Sequence, residues 1–302
     1  MKAAVLHEYG GPSKLKYETV DDPQPGPGEV RVRVLAVSVN PIDWKVRSGV
    51  VKERFPLDFP AILGRDVAGI VESLGEGVKG FTEGDKVFAL SNKTYAELCI
   101  IKASDLAHLP ENLDMIAAGT VPLISLTGDQ LVRVGAELQP GQTLLLTGAV
   151  GSVGRCALFC ALGLGAKVIA GVRKKQVDEV LALGATAAID MEDANDFARI
   201  GLLDAVADTV GGKLAPKLLA KIKPGGVYSS VVGPPPDAAL HPLVRINPIM
   251  AQANAETVAH YGTALRDGKL RVPVDRTLPL AEAAGAQAMA EKGGVGKIVL
   301  VP

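Results

Sequence analysis

A glycine-rich stretch in the middle of the chain has the residue types needed to hold a phosphate group. It consists of Ala149, Val150, Gly151, Ser152, Val153 and Gly154. A pyrophosphate can approach the N-terminus of a helix only where no side chain obstructs the backbone N–H groups, which glycine permits. Gly151 would allow this approach, and Gly154 would let a following helix lie close to the strand before it.

The elements on either side of this stretch must position it. The apolar run Thr143–Thr147 before it has the length and composition of a buried parallel strand. Residues 156–164 after it form an apolar segment with helical spacing, and residues 166–170 form a second strand-like run. A strand, a glycine turn, a helix and a second strand make up the βαβ unit that binds dinucleotides, although Ala149 replaces the first glycine of the usual pattern. The alternative is an ordinary tight turn between a strand and a helix.

The residues after the second strand distinguish the two nicotinamide dinucleotides. NAD sites usually carry an acidic residue at the end of this strand, where it binds the ribose 2′-hydroxyl. Val172 stands at about that position, and Arg173, Lys174 and Lys175 follow, with no acid before Asp178. Because cations attract a 2′-phosphate, we expect NADPH, with Arg173 and Lys174 as its ligands. The alternative is a solvated basic start to a helix, although cations in a first turn oppose the helix dipole.

Length, charge and cysteine content limit the class of protein. The chain has 302 residues, about twice the length of an average domain. Its formal net charge of −1 argues against a nucleic-acid partner, because neutralising phosphates requires a basic surface. Three cysteines suggest a reducing compartment. We find no secretory signal and no apolar run long enough to cross a membrane, and therefore expect a cytoplasmic protein without a membrane partner.

Two patterns of predicted elements divide the chain. The first 122 residues contain short strands with period-two alternation, such as residues 30–37, which is typical of a small β-barrel. After the glycine stretch, short strands and helices alternate as far as a fifth strand at 226–232, which indicates a doubly wound parallel sheet. We also predict a helix over 214–222, an edge strand over 270–274, a helix over 281–291 and a final strand, Lys297–Val301.

A set of short motifs, each weak alone, occurs in a family-specific order. They are residues 37–43, 47–49, 63–71, 84–87, 94–97, 122–127, 149–154, 183–185, 208–212 and 296–300. Together they resemble the medium-chain dehydrogenase/reductase superfamily, in its zinc-independent quinone oxidoreductase (zeta-crystallin-like) branch, over essentially the whole chain. The resemblance implies an α/β fold, with a GroES-like β-barrel domain at 1–122 and 275–302 and a Rossmann NADPH-binding domain at 123–274.

The resemblance also implies NADPH-dependent reduction of a quinone or an α,β-unsaturated carbonyl compound (an enone), in a homodimer or homotetramer. Asn40 would hold the nicotinamide ribose or the substrate carbonyl, unless its amide only caps a turn. Asp43 would orient that loop or cap a short helix over 44–46. Thr127 resembles a threonine near the nicotinamide, with an ordinary helix residue as the alternative. The backbone of Val232 and Gly233 would meet the carboxamide.

The positions of zinc ligands in other members of the superfamily carry different residues here. Zinc-dependent members have a cysteine in the segment from Asn40 to Asp43 and a histidine in a Gly-His-Glu motif, which reads Gly64-Arg65-Asp66 in this chain. We therefore expect no zinc, and we expect Asp66 to serve the barrel loop more than the chemistry.

Two other functions compete with a reductase. One is an NADPH-binding structural or regulatory protein of the crystallin type, without significant turnover. The other is an NAD-linked alcohol dehydrogenase, which the missing zinc ligands and the cations after the second strand disfavour.

Many relatives have a tyrosine soon after the segment that ends here at Ser48 and Gly49, and this chain has no tyrosine at that place. Solvent would then protonate the product.

Overall fold

The computed structural model describes all 302 residues, which form two compact units. The first comprises Met1–Leu123 and Ala253–Pro302, and the second comprises Ile124–Gln252. Residues 253–274, which the sequence assigned to the Rossmann domain, belong to the first unit. The reason is the helix Ala255–Arg266, which packs so closely there that a Cβ atom on Gly262 would lie 2.5 Å from the Phe88 ring.

Strands and helices follow one another along the chain with short connections. The strands are β1 (Lys2–Leu6), β2 (Leu15–Thr19), β3 (Glu29–Val39), β4 (Ala61–Ile62), β5 (Asp66–Leu74), β6 (Lys86–Leu90), β7 (Leu98–Lys102), β8 (Leu106–His108), β9 (Thr143–Thr147), β10 (Lys167–Val172), β11 (Ala187–Asp190), β12 (Leu203–Asp208), β13 (Ile222–Ser230), β14 (Arg245–Pro248), β15 (Val274–Pro279) and β16 (Lys297–Val301). The helices are α1 (Pro41–Ser48), α2 (Met115–Ala118), α3 (Pro122–Gln130), α4 (Ser152–Gly163), α5 (Val177–Ala182), α6 (Ala194–Arg199), α7 (Ala215–Leu219), α8 (Ala255–Arg266) and α9 (Ala283–Lys292). None of the helices combines the length and the apolar composition needed to cross a bilayer.

The first unit is built on strand β3. This strand of eleven residues pairs with β5, β7 and β16. The resulting sheet has the order β15-β16-β3-β5-β6-β8, and a smaller sheet has the order β2-β1-β4. Val30, Val32 and Val34 alternate along β3 and are all buried in the core, as the period-two pattern predicted. This unit is the predicted GroES-like β-barrel domain.

The second unit contains a six-stranded parallel sheet of order β11-β10-β9-β12-β13-β14. Leu144 and Leu146 of β9 belong to one core cluster and Leu145 belongs to another, so both faces of the strand are covered. That burial explains why β9 is a continuous apolar run. Strand order reverses direction between β9 and β12, and in such sheets ligands bind beyond the carboxyl ends of the strands at this point. The predicted Rossmann-type sheet is confirmed.

Some predicted elements are wrong. Residues 270–273 form no strand, and the sixth strand of the parallel sheet is β14 instead. Leu270 and Val272 are buried all the same, so their alternation reflected packing in the first unit. The helix predicted over 214–222 ends at Leu219, because Ile222 begins β13. Helix α8 was not predicted, although the side chain of its N-cap residue, Asn254, accepts a hydrogen bond from a first-turn N–H.

Candidate active site

The glycine turn lies at the carboxyl edge of the parallel sheet, between β9 and α4. Gly151 is the N-cap residue of α4, and no side chain caps this end of the helix. The N–H groups of Ser152, Val153 and Gly154 therefore have no partner within the helix. A Cβ atom on Gly154 would lie 2.1 Å from the carbonyl oxygen of Gly148, so only glycine lets the helix start this close to the turn. The turn offers unobstructed donors of the kind that a pyrophosphate accepts.

The end of β10 presents a cluster of positive charge on the same edge. Val172 is buried, and the exposed residues Arg173, Lys174 and Lys175 follow it in a short turn that leads into α5. None of these three cations is in a salt bridge, whereas Arg155 of α4 pairs with Glu179. The three charges are therefore available to an anionic ligand.

A buried carboxylate organises the turn after β12. Asp208 accepts hydrogen bonds through Oδ1 from the N–H groups of Val210 and Gly211, both at 2.9 Å, and from the Thr147 hydroxyl at 2.6 Å. The Tyr228 hydroxyl donates to the other oxygen. Burial, and then the Asp208 carboxylate, raise the pKa of Tyr228, so this hydroxyl remains a donor. Sequence reasoning listed this segment as a motif but gave Asp208 no role.

The turn after β13 packs against the turn that Asp208 holds. Strand β13 ends at Ser230, two residues before the predicted end, and the Val232 N–H donates to the Ser230 hydroxyl at 3.0 Å. A Cβ atom on Gly211 would lie 2.6 Å from the Val232 side chain. The structure therefore places Val232 and Gly233 on the carboxyl edge, with the glycine turn and the cations.

Thr127 lies on α3, near the start of α4. It is half-buried, and its neighbour Gly128 touches α4 so closely that a Cβ atom there would lie 2.6 Å from the backbone nitrogen of Ala157 and 2.8 Å from the carbonyl oxygen of Val153. Helix α3 therefore crosses α4 within its first turns. This crossing brings Thr127 into the neighbourhood of the glycine turn.

Asn40 lies in the first unit, where β3 meets α1, and its side chain is almost completely buried. Its amide nitrogen donates to Asp66 Oδ2 at 2.7 Å, and its amide oxygen accepts from Lys297 Nζ at 2.6 Å. Asn40 is the N-cap residue of α1, but its side chain makes no capping hydrogen bond. These two contacts fix which way the amide points. The second amide hydrogen has only long contacts, 3.4 Å to Ser38.

Asp43 is the third residue of α1, which begins three residues earlier than the predicted helix. Its carboxylate accepts the Asn40 N–H at 2.7 Å and the Tyr95 hydroxyl at 2.9 Å. It thus reaches back over the helix N-terminus and also orients the Asn40 loop. Burial raises the pKa of Asp43 to about 7, although the two hydrogen bonds lower it. Burial, and then the Asp43 charge, hold the pKa of Tyr95 well above its ordinary value.

Asp66 is the centre of what we call the buried polar cluster: Ser38, Asn40, Asp43, Asp66, Tyr95 and Lys297. Its Oδ2 accepts from Ser38 and Asn40 and lies 3.8 Å from Lys297 Nζ, and its Oδ1 accepts the Leu123 N–H at 2.6 Å. Asp66 therefore holds Asn40 as well as the barrel loop. Sequence reasoning missed Lys297 and Tyr95, and Lys297 in particular stands where a strand usually begins in solvent.

The residues at the zinc-ligand positions do not suit a metal. Asn40 offers an amide that is already engaged and Arg65 offers a guanidinium, which has donors only. No group of three or more His, Cys, Asp or Glu side chains in the 302 residues could hold a metal ion.

Comparisons with known proteins agree with this geometry. The family model for the alcohol dehydrogenase GroES-like domain matches residues 26–122, and the model described as zinc-binding dehydrogenase matches residues 183–300. The quinone oxidoreductase of Pseudomonas aeruginosa is 32% identical, over 97% of this chain and 97% of the relative. The chloroplastic NADPH-dependent alkenal/one oxidoreductase of Arabidopsis thaliana is 31% identical, over 100% of this chain and 80% of the relative.

A solved structure shares the fold over the full length of both proteins. The quinone oxidoreductase of Escherichia coli, complexed with NADPH, has a TM-score of 0.88 at 25% identity, with 100% of each chain covered. As its motifs predicted, the chain belongs to the quinone oxidoreductase branch of the medium-chain dehydrogenase/reductase superfamily.

Proposed function

We propose that this protein is a zinc-independent, NADPH-dependent reductase that transfers hydride to a quinone or an enone. The observation that carries the proposal is the carboxyl edge of the parallel sheet. There the uncapped N-terminus of α4 and the cations after β10 form one anion-binding edge. Relatives named quinone oxidoreductase and NADPH-dependent alkenal/one oxidoreductase support the choice of substrate.

The residues present fit the two charged groups of NADPH. The N–H groups of Ser152, Val153 and Gly154 would hold the pyrophosphate. Arg173 and Lys174 would hold the 2′-phosphate by charge-assisted hydrogen bonds. When bound, NADPH supplies a hydride to the acceptor. The E. coli relative was solved with this cofactor, which supports the assignment.

Four further residues would position the nicotinamide and the acceptor. Thr127 lies near the start of α4, and the backbone of Val232 and Gly233 lies at the sheet edge; together they would hold the nicotinamide end of the cofactor. Asn40 would present its second amide hydrogen to the ribose or to the acceptor carbonyl. Asp66 and Lys297 fix this amide, so the donor is already oriented before a ligand binds.

Solvent would supply the proton that completes the reduction. Tyr95 is fully buried, donates to Asp43 and has a raised pKa, so it is a weak proton donor. This step needs only water, because an enolate is a strong enough base to take a proton from a water molecule.

Zinc has no part in the proposed reaction, although one matching family model is described as zinc-binding. The places where other members hold zinc ligands are occupied here by the segment from Asn40 to Asp43, which has no cysteine, and by Arg65 in place of histidine. Negative charge that develops on the acceptor oxygen must therefore be stabilised by protein donors.

We further place the protein in the cytoplasm, as a homodimer or homotetramer. None of its cysteines is in a disulfide, which suits a reducing compartment. Strand β14 is an edge strand whose backbone groups pair on one side only. Leu240 and Leu243, just before it, are 75% and 66% exposed, and a second copy would cover them. Light scattering coupled to gel filtration measures the mass, and a monomer at micromolar concentration would contradict this assignment.

A single titration series tests the function. Purified protein is titrated with NADPH and with NADH while nicotinamide fluorescence is followed, and 1,4-benzoquinone and then a simple enone are added to the same sample. We expect tighter binding of NADPH and its oxidation by one of the two acceptors. Binding without oxidation by either would favour the crystallin-type alternative, and absence of binding would refute the cofactor assignment.

A further inference from the structure

Arg65 carries a positive charge that the rest of the protein leaves unpaired. It is half-buried, immediately before β5, and its Nε atom is buried without a hydrogen-bond partner. No salt bridge includes it. A buried N–H group without an acceptor destabilises a protein unless a ligand or water provides one.

Other arginines with little exposure each have a carboxylate partner, although the Nε atom of Arg31 is also buried without a well-aligned hydrogen bond. Arg31 pairs with Glu72, Arg47 with Glu291 and Arg155 with Glu179. Their side chains are 19%, 0% and 9% exposed. The fold thus provides a carboxylate for each of these guanidinium groups but none for Arg65.

The backbone on both sides of Arg65 is held in place. Gly64 has φ +96°, and a Cβ atom there would lie 2.4 Å from both the Thr94 hydroxyl and the Tyr95 ring. On the other side, Asp66 is anchored in the buried polar cluster through Asn40. A guanidinium group on such a rigid segment is oriented before any ligand arrives, which is the arrangement that favours stabilisation of charge in a transition state.

We infer that Arg65 is a catalytic residue that donates hydrogen bonds to the acceptor oxygen on which negative charge develops. This inference rests on the proposed function. When hydride adds to the β-carbon of an enone, its two electrons form the new C–H bond, the π pair of the C=C bond moves between the α-carbon and the carbonyl carbon, and the π pair of the C=O bond moves onto oxygen to give the enolate. Arg65 stabilises that oxygen, and water then protonates the enolate. With a quinone, the same guanidinium meets the phenolate oxygen of the hydroquinone anion.

The position of Arg65 gives the inference its chemical logic. Zinc-dependent members of the superfamily have a metal-binding histidine at this place in the sequence, and zinc polarises a substrate oxygen as a Lewis acid. A guanidinium supplies positive charge and several N–H donors without a metal. The Arg65 guanidinium would then stabilise negative charge on the substrate oxygen, as zinc does in those members.

The first test compares Arg65→Met with Arg33→Met, which removes an exposed arginine from β3 of the same unit. We expect Arg65→Met to lower kcat/KM for the enone about 100-fold, the usual effect of removing one oxyanion donor. The Kd for NADPH and the Tm should not fall, because no protein group loses a partner. Arg33→Met should match the wild type. Unchanged kcat/KM in Arg65→Met, or a loss confined to NADPH binding, would overturn the inference.

The second test does not depend on turnover. 4-Nitrophenolate carries an oxyanion on an aromatic ring and reports its binding by absorbance. We expect the wild type and Arg33→Met to bind it and to favour the ionised form, and Arg65→Met to bind it at least tenfold more weakly. Equal binding by all three proteins, or none by the wild type, would refute the site. A wild type that binds the phenolate but oxidises no NADPH would refute the proposed function alone.

Discussion

Asp43 should make the protein less stable as the pH rises through neutrality. The pKa of its carboxyl group rises from 3.8 to about 7, chiefly through burial. Between these two values the folded protein holds a proton that the unfolded chain has released. This contribution to stability is fully present below pH 3.8 and is lost as the pH passes about 7. The free energy of unfolding should therefore fall by roughly 3 kcal/mol between pH 5 and pH 8.

The variant Asp43→Asn isolates this effect from other titrating groups. Asparagine keeps an acceptor oxygen for the Asn40 N–H and the Tyr95 hydroxyl but does not ionise. Urea unfolding is followed by the fluorescence of Trp44, the single tryptophan, which is the next residue of α1. The measured quantity is the difference in unfolding free energy between the wild type and Asp43→Asn at each pH. This difference should decline by roughly 3 kcal/mol from pH 5 to pH 8.

A second variant provides an internal check. Tyr95→Phe removes a hydrogen bond that lowers the pKa of Asp43, so the decline should move to higher pH. If the difference between the wild type and Asp43→Asn does not change with pH, or grows as the pH rises, the assignment of a raised pKa is wrong.

Three further predictions concern the sheet edge. Replacing Arg173 and Lys174 with alanine should raise the Kd for NADPH at least about 100-fold and leave NADH almost unaffected, since each lost charge-assisted bond contributes about 1.5–3 kcal/mol; equal effects on both would exclude a 2′-phosphate contact. Gly151→Val should give a folded protein by circular dichroism that does not bind NADPH, because a Cβ atom there makes one tight contact, 3.2 Å from the Gly148 oxygen, which a shift of a few tenths of an ångström relieves, while the larger side chain covers the helix N-terminus; retained binding would contradict this. Asp208→Asn should weaken NADPH binding about tenfold by loosening the turn that it holds, as measured by fluorescence titration, since a lost hydrogen bond costs about 1.5 kcal/mol; an unchanged Kd would show that the turn does not depend on the charge.

The sequence predicts the parallel sheet well because burial on both faces makes a strand recognisable. Strand β9 begins and ends at the predicted residues, and so does β16 of the first unit. Each is an apolar run next to a glycine, Gly148 after β9 and Gly296 before β16, and the pattern of one segment is sufficient. The glycine turn is predicted for the same reason, since its context of strand and helix is local.

Elements that depend on tertiary pairing are predicted less well. Strand β14 has four residues, none of which is fully buried, and it is a strand only because it pairs with β13. Helix α8 does show its cap and its buried face in the sequence, at Asn254, Val258 and Tyr261. It was missed because Gly262 and the polar residues around it weakened the helical pattern.

The buried polar cluster marks the limit of local reasoning. Asn40 and Lys297 are 257 positions apart, and no pattern within either segment links them. Lysine is rarely buried without a partner, so from the sequence alone Lys297 is expected to lie in solvent at the end of a strand. Motifs located Asn40 and Asp43, but the role of Asp66 as the group that orients Asn40 required the folded structure.

The partners of the charged side chains around Asp66 give evidence about the site. Asp66 is matched by Lys297 and three hydrogen bonds, and Asp43 has two hydrogen-bond donors and a raised pKa, so each of them is stabilised inside the protein. Arg65, the residue next to Asp66, has no such compensation. An unpaired guanidinium beside the buried polar cluster lowers the stability of the protein. A ligand that pairs with Arg65 would explain why an arginine stands there. Whether a charged side chain has a partner depends on tertiary contacts. The sequence alone therefore could not distinguish Arg65 from the other arginines.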